Sequence, residues 1–211
     1  MSMTLVLVIM TALISMQSFS NPEMRAKLLF APATMKRSGQ WYRFLTSGFI
    51  HADWGHLLIN MFVLYQFGEV AESVFGSLFG PLYGRLIFLF FYMSAVVVAS
   101  FPSYIRHQDN YGYAALGASG ATSALVFLYI ILDPWQWFLF PPLPALIFGV
   151  AYLWYSSYMD KRGTDHIGHY EHFWGAVYGV VFTLLTFILF KPFMLNYFLG
   201  KLLEGPGPFG M

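Results

Sequence analysis

Long apolar runs interrupted by short polar stretches mark six hydrophobic segments along the chain, at about 3–20, 55–75, 82–101, 116–132, 143–158 and 168–190. Each is bounded by Pro, Gly or charge, and each approaches the ~20 mostly apolar residues that a helix needs to cross a bilayer. The pattern predicts an all-α membrane protein built as a six-transmembrane-helix bundle. No internal repeat or low-complexity tract divides it, so residues 1–204 are expected to form one membrane domain, with a disordered Gly- and Pro-rich tail at 205–211. The first run lacks the Lys or Arg that precedes a signal-peptide core, although Ser15 to Ser20 is small and polar enough to suit a peptidase. A retained first span is therefore expected. No Arg-rich transit peptide is visible either, which argues against mitochondrial import.

Between the first two spans the pattern changes. From Asn21 to Trp54 the chain sets Arg25, Lys27, Lys36, Arg37 and Arg43 among Leu, Phe, Trp and Tyr. Cations mixed with large aromatics suit the headgroup layer better than hydrocarbon or bulk water. This long first loop should be partly helical and lie in the interface.

Composition sharpens the class. Hydrophobic residues make up 58% and charged residues 10%, whereas a soluble domain carries roughly a quarter charged. A net charge of +1, with no basic run interleaved with aromatics, gives no footprint for nucleic acid. The absence of cysteine excludes disulfides, thiolate catalysis and Cys-ligated metal.

With six spans, the connections before the second, fourth and sixth helices share one face of the membrane. The starts of those helices carry the chain's polar clusters: "HADWGHLLIN", "GASG" and "GHYEHFWGAVYG". His56 and Asn60, four apart, fall on one helix face one turn apart. Polar side chains within spans are functional candidates by default, although hydrogen bonds that merely glue helices together are common. His51 reads as interfacial. On the sixth helix His172, Gly175 and Gly179 form one stripe whose Gly-xxx-Gly spacing admits a neighbouring backbone. On the fourth, Ser119, Gly120, Ser123 and Ala124, preceded by Gly117, make a matching small-residue face. A packing seam without chemistry would explain the glycines but not a histidine set above them.

If the two faces meet, Ser119 and His172 satisfy the first requirement for an activated serine, a base within reach of the hydroxyl. Ser119 also opens a helix, whose first amides and positive dipole end suit a developing oxyanion. His56 and Asn60 could add donors. Counted back from Asp133 at ~1.5 Å per residue, the serine lies about 20 Å along its helix, hence roughly 10 Å below the near surface of a ~30 Å hydrocarbon layer. Hydrolysis there needs a water-accessible cavity. Glu171 points some 100° away from His172 on an ideal helix, so the residues suggest a Ser-His dyad rather than a triad.

These motifs resemble the rhomboid family of intramembrane serine proteases. The match runs from "WYRFLTSGFIHADWGHLLINMF" through "GEVAE" to "GASGATSA" and "HYEHFWGAVYG", covering most of the chain from Trp41 to Gly179. The resemblance implies Ser119 as nucleophile and His172 as general base, with His56, Asn60 and the Ser119 N–H forming the oxyanion hole. It also implies structural roles for Gly117, Gly120, Gly175, Gly179, Trp41, Arg43 and Glu72. The implied substrates are single-span membrane proteins entering laterally from the lipid bilayer, cut in or near their transmembrane segment without metal or cofactor. Two positions depart from the family pattern. Many members carry an aromatic residue four positions after the serine, stacked on the histidine, where this chain has Ser123. The residue before the histidine is commonly small, where this chain has Glu171, whose charge could raise the pKa of His172.

Two other functions compete. His166, His169 and His172 recur every third residue beside Asp165 and Glu171, a donor set suited to zinc; the HExxH spacing is absent, and a metal leaves Ser119 and Asn60 without a role. A rhomboid-like protein that binds membrane clients without cutting them is the other, weakened by the presence of both serine and histidine. For orientation, the face of the first, third and fifth loops holds eight Lys or Arg (25, 27, 36, 37, 43, 106, 161, 162) against three (85, 191, 201) opposite. The positive-inside rule directs the eight to the cytoplasm. The family resemblance implies the reverse: a prokaryotic plasma membrane with the site opening to the extracytoplasmic side. The latter is preferred because five of the eight lie in the partly embedded first loop.

Overall fold

The computed structural model describes residues 1–139, 141–163 and 168–207. Helix α1 (Met3–Ser20) opens on Ser2, whose hydroxyl accepts the Leu5 N–H. Three short helices follow within the first loop, α2 (Pro22–Leu28), α3 (Pro32–Ser38) and α4 (Arg43–Thr46), and then a 3-10 turn at Ser47–Phe49. Pro at the first helical position starts both α2 and α3. The long helices are α5 (Trp54–Phe79), α6 (Pro81–His107), α7 (Ser119–Leu132), α8 (Ala145–Arg162) and α9 (His169–Phe190); α10 (Pro192–Glu204) closes the described chain. Among the described residues β-pairing is limited to two isolated bridges.

All six predicted helices are present, with differences at their ends. Helix α6 runs through Pro102 to His107 instead of stopping before it. A membrane helix tolerates proline because neighbouring helices and side chains re-satisfy the freed backbone groups. Helix α7 begins at Ser119 rather than 116, after Gly117 takes a positive φ of 119°. Helix α10 has no counterpart in the predicted elements. By length and composition α1, α6 and α9 qualify as spans on their own. Helix α5 is long enough but carries His56, Asn60, Glu69 and Glu72, and α8 ends in Asp160, Lys161 and Arg162. Helix α7, at 14 residues, covers about 21 Å at 1.5 Å per residue. It is the central helix, with all but three of its residues buried, and an all-round apolar surface suits that position.

Glu72 explains a carboxylate inside α5. It accepts the Met3 and Thr4 N–H groups at 2.9 and 2.8 Å and the Thr4 hydroxyl at 2.9 Å, so it caps the first turn of α1 from a neighbouring helix. Arg85 stands 3.5 Å away. In the first loop Arg43 is buried and donates to the Ala26 and Leu29 carbonyls, both at 2.8 Å, and to Gln40 Oε1 at 2.7 Å. It thereby fastens the end of α2. Trp41 is exposed and lies against Phe44 and Tyr104. Phe30 and Ala115 exchange both backbone hydrogen bonds, which ties the first loop to the segment entering α7.

Candidate active site

The approach to Ser119 is fixed by backbone contacts on three sides. Gly117 donates its N–H to the Ser47 carbonyl at 2.9 Å. Its φ favours glycine, and a Cβ there would stand 2.6 Å from His56 Cε1. The next residue, Ala118, donates its N–H to His51 Nε2 at 3.2 Å. Ser15 of α1 donates to the Phe49 carbonyl, so it accepts from His51 Nδ1–H at 2.9 Å. His51 is therefore a fully buried, neutral bridge between α1 and the residue preceding the serine, not an interfacial side chain. Burial foremost, then the neighbouring His56, pushes its pKa down to about 3.

Ser119, Gly120 and Gly117 line one cavity of about 910 Å³ together with His56, Asn60 and His172. Asp53 caps α5 by accepting the His56 N–H at 2.8 Å. The His56 ring accepts weakly from the Ala52 N–H through Nδ1, at 3.5 Å, which leaves Nε2 as its N–H donor. Asn60 is buried and donates one amide proton to the His56 carbonyl at 2.9 Å. Its Oδ1 faces the Thr122 hydroxyl at 3.0 Å, and that hydroxyl also lies 3.1 Å from the Ser119 carbonyl. Thr122, which the sequence reading did not single out, thus links the Asn60 amide to the serine's own backbone.

Helices α7 and α9 meet without side chains between them. A Cβ on Gly175 would stand 2.0 Å from the Gly120 carbonyl oxygen, and one on Gly179 2.3 Å from that of Ala124. One turn above, a Cβ on Gly120 would lie 3.4 Å from the Glu171 carbonyl. The residue after the serine therefore abuts the residue before the histidine. The Glu171 side chain is buried and turns toward the loop, where it accepts from the Tyr113 hydroxyl at 2.6 Å. Burial and this carboxylate push the Tyr113 pKa up.

The position that departs from the family's aromatic pattern is met from a third helix. Tyr152 of α8 stacks on the His172 ring, with centroids 6.2 Å apart and planes 20° apart, within the range of offset-stacked pairs. Its hydroxyl lies 2.6 Å from Ser123 Oγ, which donates to the Ser119 carbonyl at 2.7 Å. Nothing in the periodicity of α8 distinguishes Tyr152 from the aromatics around it. Of the other implied structural residues, Trp41 and Arg43 support the first loop, and Glu72 sits beside the start of α1, away from the cavity. Among the described residues no group of three His, Asp or Glu could hold a metal ion; Asp165 and His166 lie outside the described residues.

Comparison with known proteins agrees with the motifs. A family model described as the Rhomboid domain matches residues 38–189. RHOMBOID-like protein 12, mitochondrial, of Arabidopsis thaliana is 31% identical over 157 residues, 69% of this chain and 46% of the relative. Rhomboid-like protein 11, chloroplastic, of the same plant is 34% identical over 98 residues, 46% of this chain and 31% of the relative. Rhomboid protease GluP of Bacillus subtilis is 32% identical over 103 residues, 48% of this chain and 18% of the relative. The chain spans less than half the length of each of these curated relatives. With the domain match covering most of its length, in an all-helical membrane architecture, the chain belongs to the rhomboid family.

Proposed function

We propose that the chain is an intramembrane serine endopeptidase that cuts single-span membrane proteins in or near their transmembrane segment, with Ser119 as nucleophile and His172 as base. The observation that carries this reading is that a serine at the first position of α7 and a histidine in the first turn of α9 line one cavity. Behind them the two helices are in backbone contact.

In the proposed reaction Ser119 Oγ attacks the scissile carbonyl as its proton passes to His172. The oxyanion that forms takes hydrogen bonds from the Ser119 N–H, His56 Nε2–H and the second amide proton of Asn60. The tetrahedral intermediate collapses with cleavage of the C–N bond, and His172 gives its proton to the leaving amine. Water, deprotonated by His172, then hydrolyses the acyl-enzyme and restores Ser119. No step calls on a metal or cofactor. A substrate helix must be locally unwound first, because an intact helix shields its peptide bonds.

The proposal extends to orientation: a bacterial-type plasma membrane, with the cavity opening on the extracytoplasmic side. Of the eight cations on that face, Arg43 is buried in backbone contacts, while Lys27, Lys36 and Arg106 pair with Glu23, Asp109 and Asp160. Four of the eight cations on this face are thus committed within the protein, as are Arg85 and Lys201 of the three opposite. A single cysteine placed in the first loop of this cysteine-free chain should be labelled from outside intact cells, and labelling only after lysis would reverse the orientation.

The decisive test is cleavage of a single-span reporter by purified protein in liposomes. Wild type should cut, Ser119→Ala and His172→Ala should not, and a chelator should have no effect. If no reporter is cut, a fluorophosphonate probe separates the alternatives. Labelling at Ser119 keeps the protease reading, whereas its absence transfers the chain to client binding without cleavage.

A further inference from the structure

The geometry points to Tyr152 as the positioning residue of the site, holding the imidazole of His172 and the backbone of Ser119 at the same time from α8. This rests on the dyad reading above and adds a residue to it.

The proton count gives the direction of each contact. Ser123 Oγ has one proton and donates it to the Ser119 carbonyl at 2.7 Å. At 2.6 Å the Tyr152 hydroxyl must therefore be the donor to Ser123 Oγ. A chain of two hydrogen bonds runs from α8 to the backbone of the serine, and the ring that starts it lies nearly parallel to the His172 imidazole. A flat face against an imidazole restricts rotation about its terminal side-chain torsion, which is otherwise broad. Phe127 and Phe148 flank Tyr152 in turn, with centroids at 5.9 and 5.8 Å, so the tyrosine ring is itself held. Helix α8 packs chiefly on α9. Its seating therefore sets the orientation of a base that stands on a different helix.

Two measurements on the full-length protein in nanodiscs test this. The first is the His172 Hε1 proton resonance, assigned by loss of the signal in His172→Gln. The stacked ring should shift it upfield in wild type and in Tyr152→Phe, and the shift should disappear in Tyr152→Leu. The second is the rate of fluorophosphonate labelling at Ser119, together with kcat and KM on a reporter. Tyr152→Leu should lower the labelling rate and kcat by about tenfold or more, the scale on which misplacing a reacting group acts, with KM unchanged. Tyr152→Phe, which keeps the ring but loses the hydroxyl chain, and Ser123→Ala, which loses the same chain, should each fall between wild type and Tyr152→Leu.

An identical Hε1 position in wild type and Tyr152→Leu would show that the rings are not stacked and overturn the inference without reference to activity. The ring shift with equal labelling rates in wild type and Tyr152→Leu would overturn the positioning role and leave the dyad standing. The ring shift in a wild type that is never labelled would overturn the dyad reading, and the positioning role with it. Should Tyr152→Leu not fold, wild-type labelling rates in both Tyr152→Phe and Ser123→Ala would overturn the inference, because the hydroxyl chain to Ser119 would then hold nothing.

Discussion

Gly175 and Gly120 are in backbone contact across the α7–α9 seam: the Cβ that any other residue would bring to position 175 falls 2.0 Å from the Gly120 carbonyl oxygen. Neither partner can yield, since the obstacle is main chain in a buried helix. Gly175→Ala should therefore exceed the ~1–3 kcal/mol typical of overpacking or force the helices apart. Gly179→Ala, 2.3 Å from the Ala124 carbonyl, should behave alike. Gly200 has open space at its Cβ position, and Gly200→Ala should be neutral or stabilising by up to ~1 kcal/mol. Unfolding in mixed micelles ranks the three variants.

His51 predicts an acid limit to stability. Its folded-state pKa of about 3 lies below the model-peptide 6.5, so the unfolded chain binds a proton that the folded one refuses. The contribution is complete above pH 6.5 and declines as pH falls from there toward 3, by up to ~1.4 kcal/mol per pH unit. His51→Gln, which can still accept from Ala118 and donate to Ser15, should show a shallower slope over that window. Equal slopes in unfolding titrations between pH 4 and 8 would remove His51 as the cause.

Thr122→Val keeps the shape of the side chain and removes the hydroxyl between Asn60 Oδ1 and the Ser119 carbonyl. Reporter cleavage should lose ~1–2 kcal/mol, roughly 5- to 30-fold, the range for one hydrogen bond to a group left buried. The loss should appear in kcat rather than KM, because in the proposed mechanism the amide is aimed at a charge that exists only during reaction.

At the other end of the bundle, Glu72→Gln should free the start of α1. The carboxylate accepts three hydrogen bonds from Met3 and Thr4, and its replacement should cost ~1–3 kcal/mol. Arg85→Ala should cost little, since the arginine is half exposed. Limited proteolysis near the N-terminus, compared across the two variants, reads the difference.

The apolar pattern was sufficient for the long helices because each is a nearly continuous run, and continuity survives without knowledge of the partners. Boundaries failed where one residue overrode the run. Pro102 reads as a stop but is carried inside α6, and Gly117 delays α7 by three residues. The clusters at the starts of the second and sixth spans could be located because histidine and asparagine are conspicuous among Leu and Phe, and that of the fourth because small residues interrupt the apolar run. Tyr152 was not conspicuous. It lies among Tyr155, Tyr158 and Trp154 on a helix rich in aromatics, and only the packing of three helices shows which ring reaches His172. His51 was misplaced for the opposite reason. A polar residue outside a predicted span looks exposed until the loop around it is folded.

The 14 residues of α7 also act as a ruler. It runs from Ser119 to Leu132, so on the proposed protease reading the distance of the reacting serine from the opposite end of the helix is built into one rigid length. On that reading, what a substrate meets is a fixed depth rather than a recognition sequence. Inserting residues into the substrate on the near side should move the cut along its sequence while leaving it at the same level in the membrane. A thinner bilayer would bring that level closer to the headgroups, so lipid chain length becomes a regulator of which bond is presented.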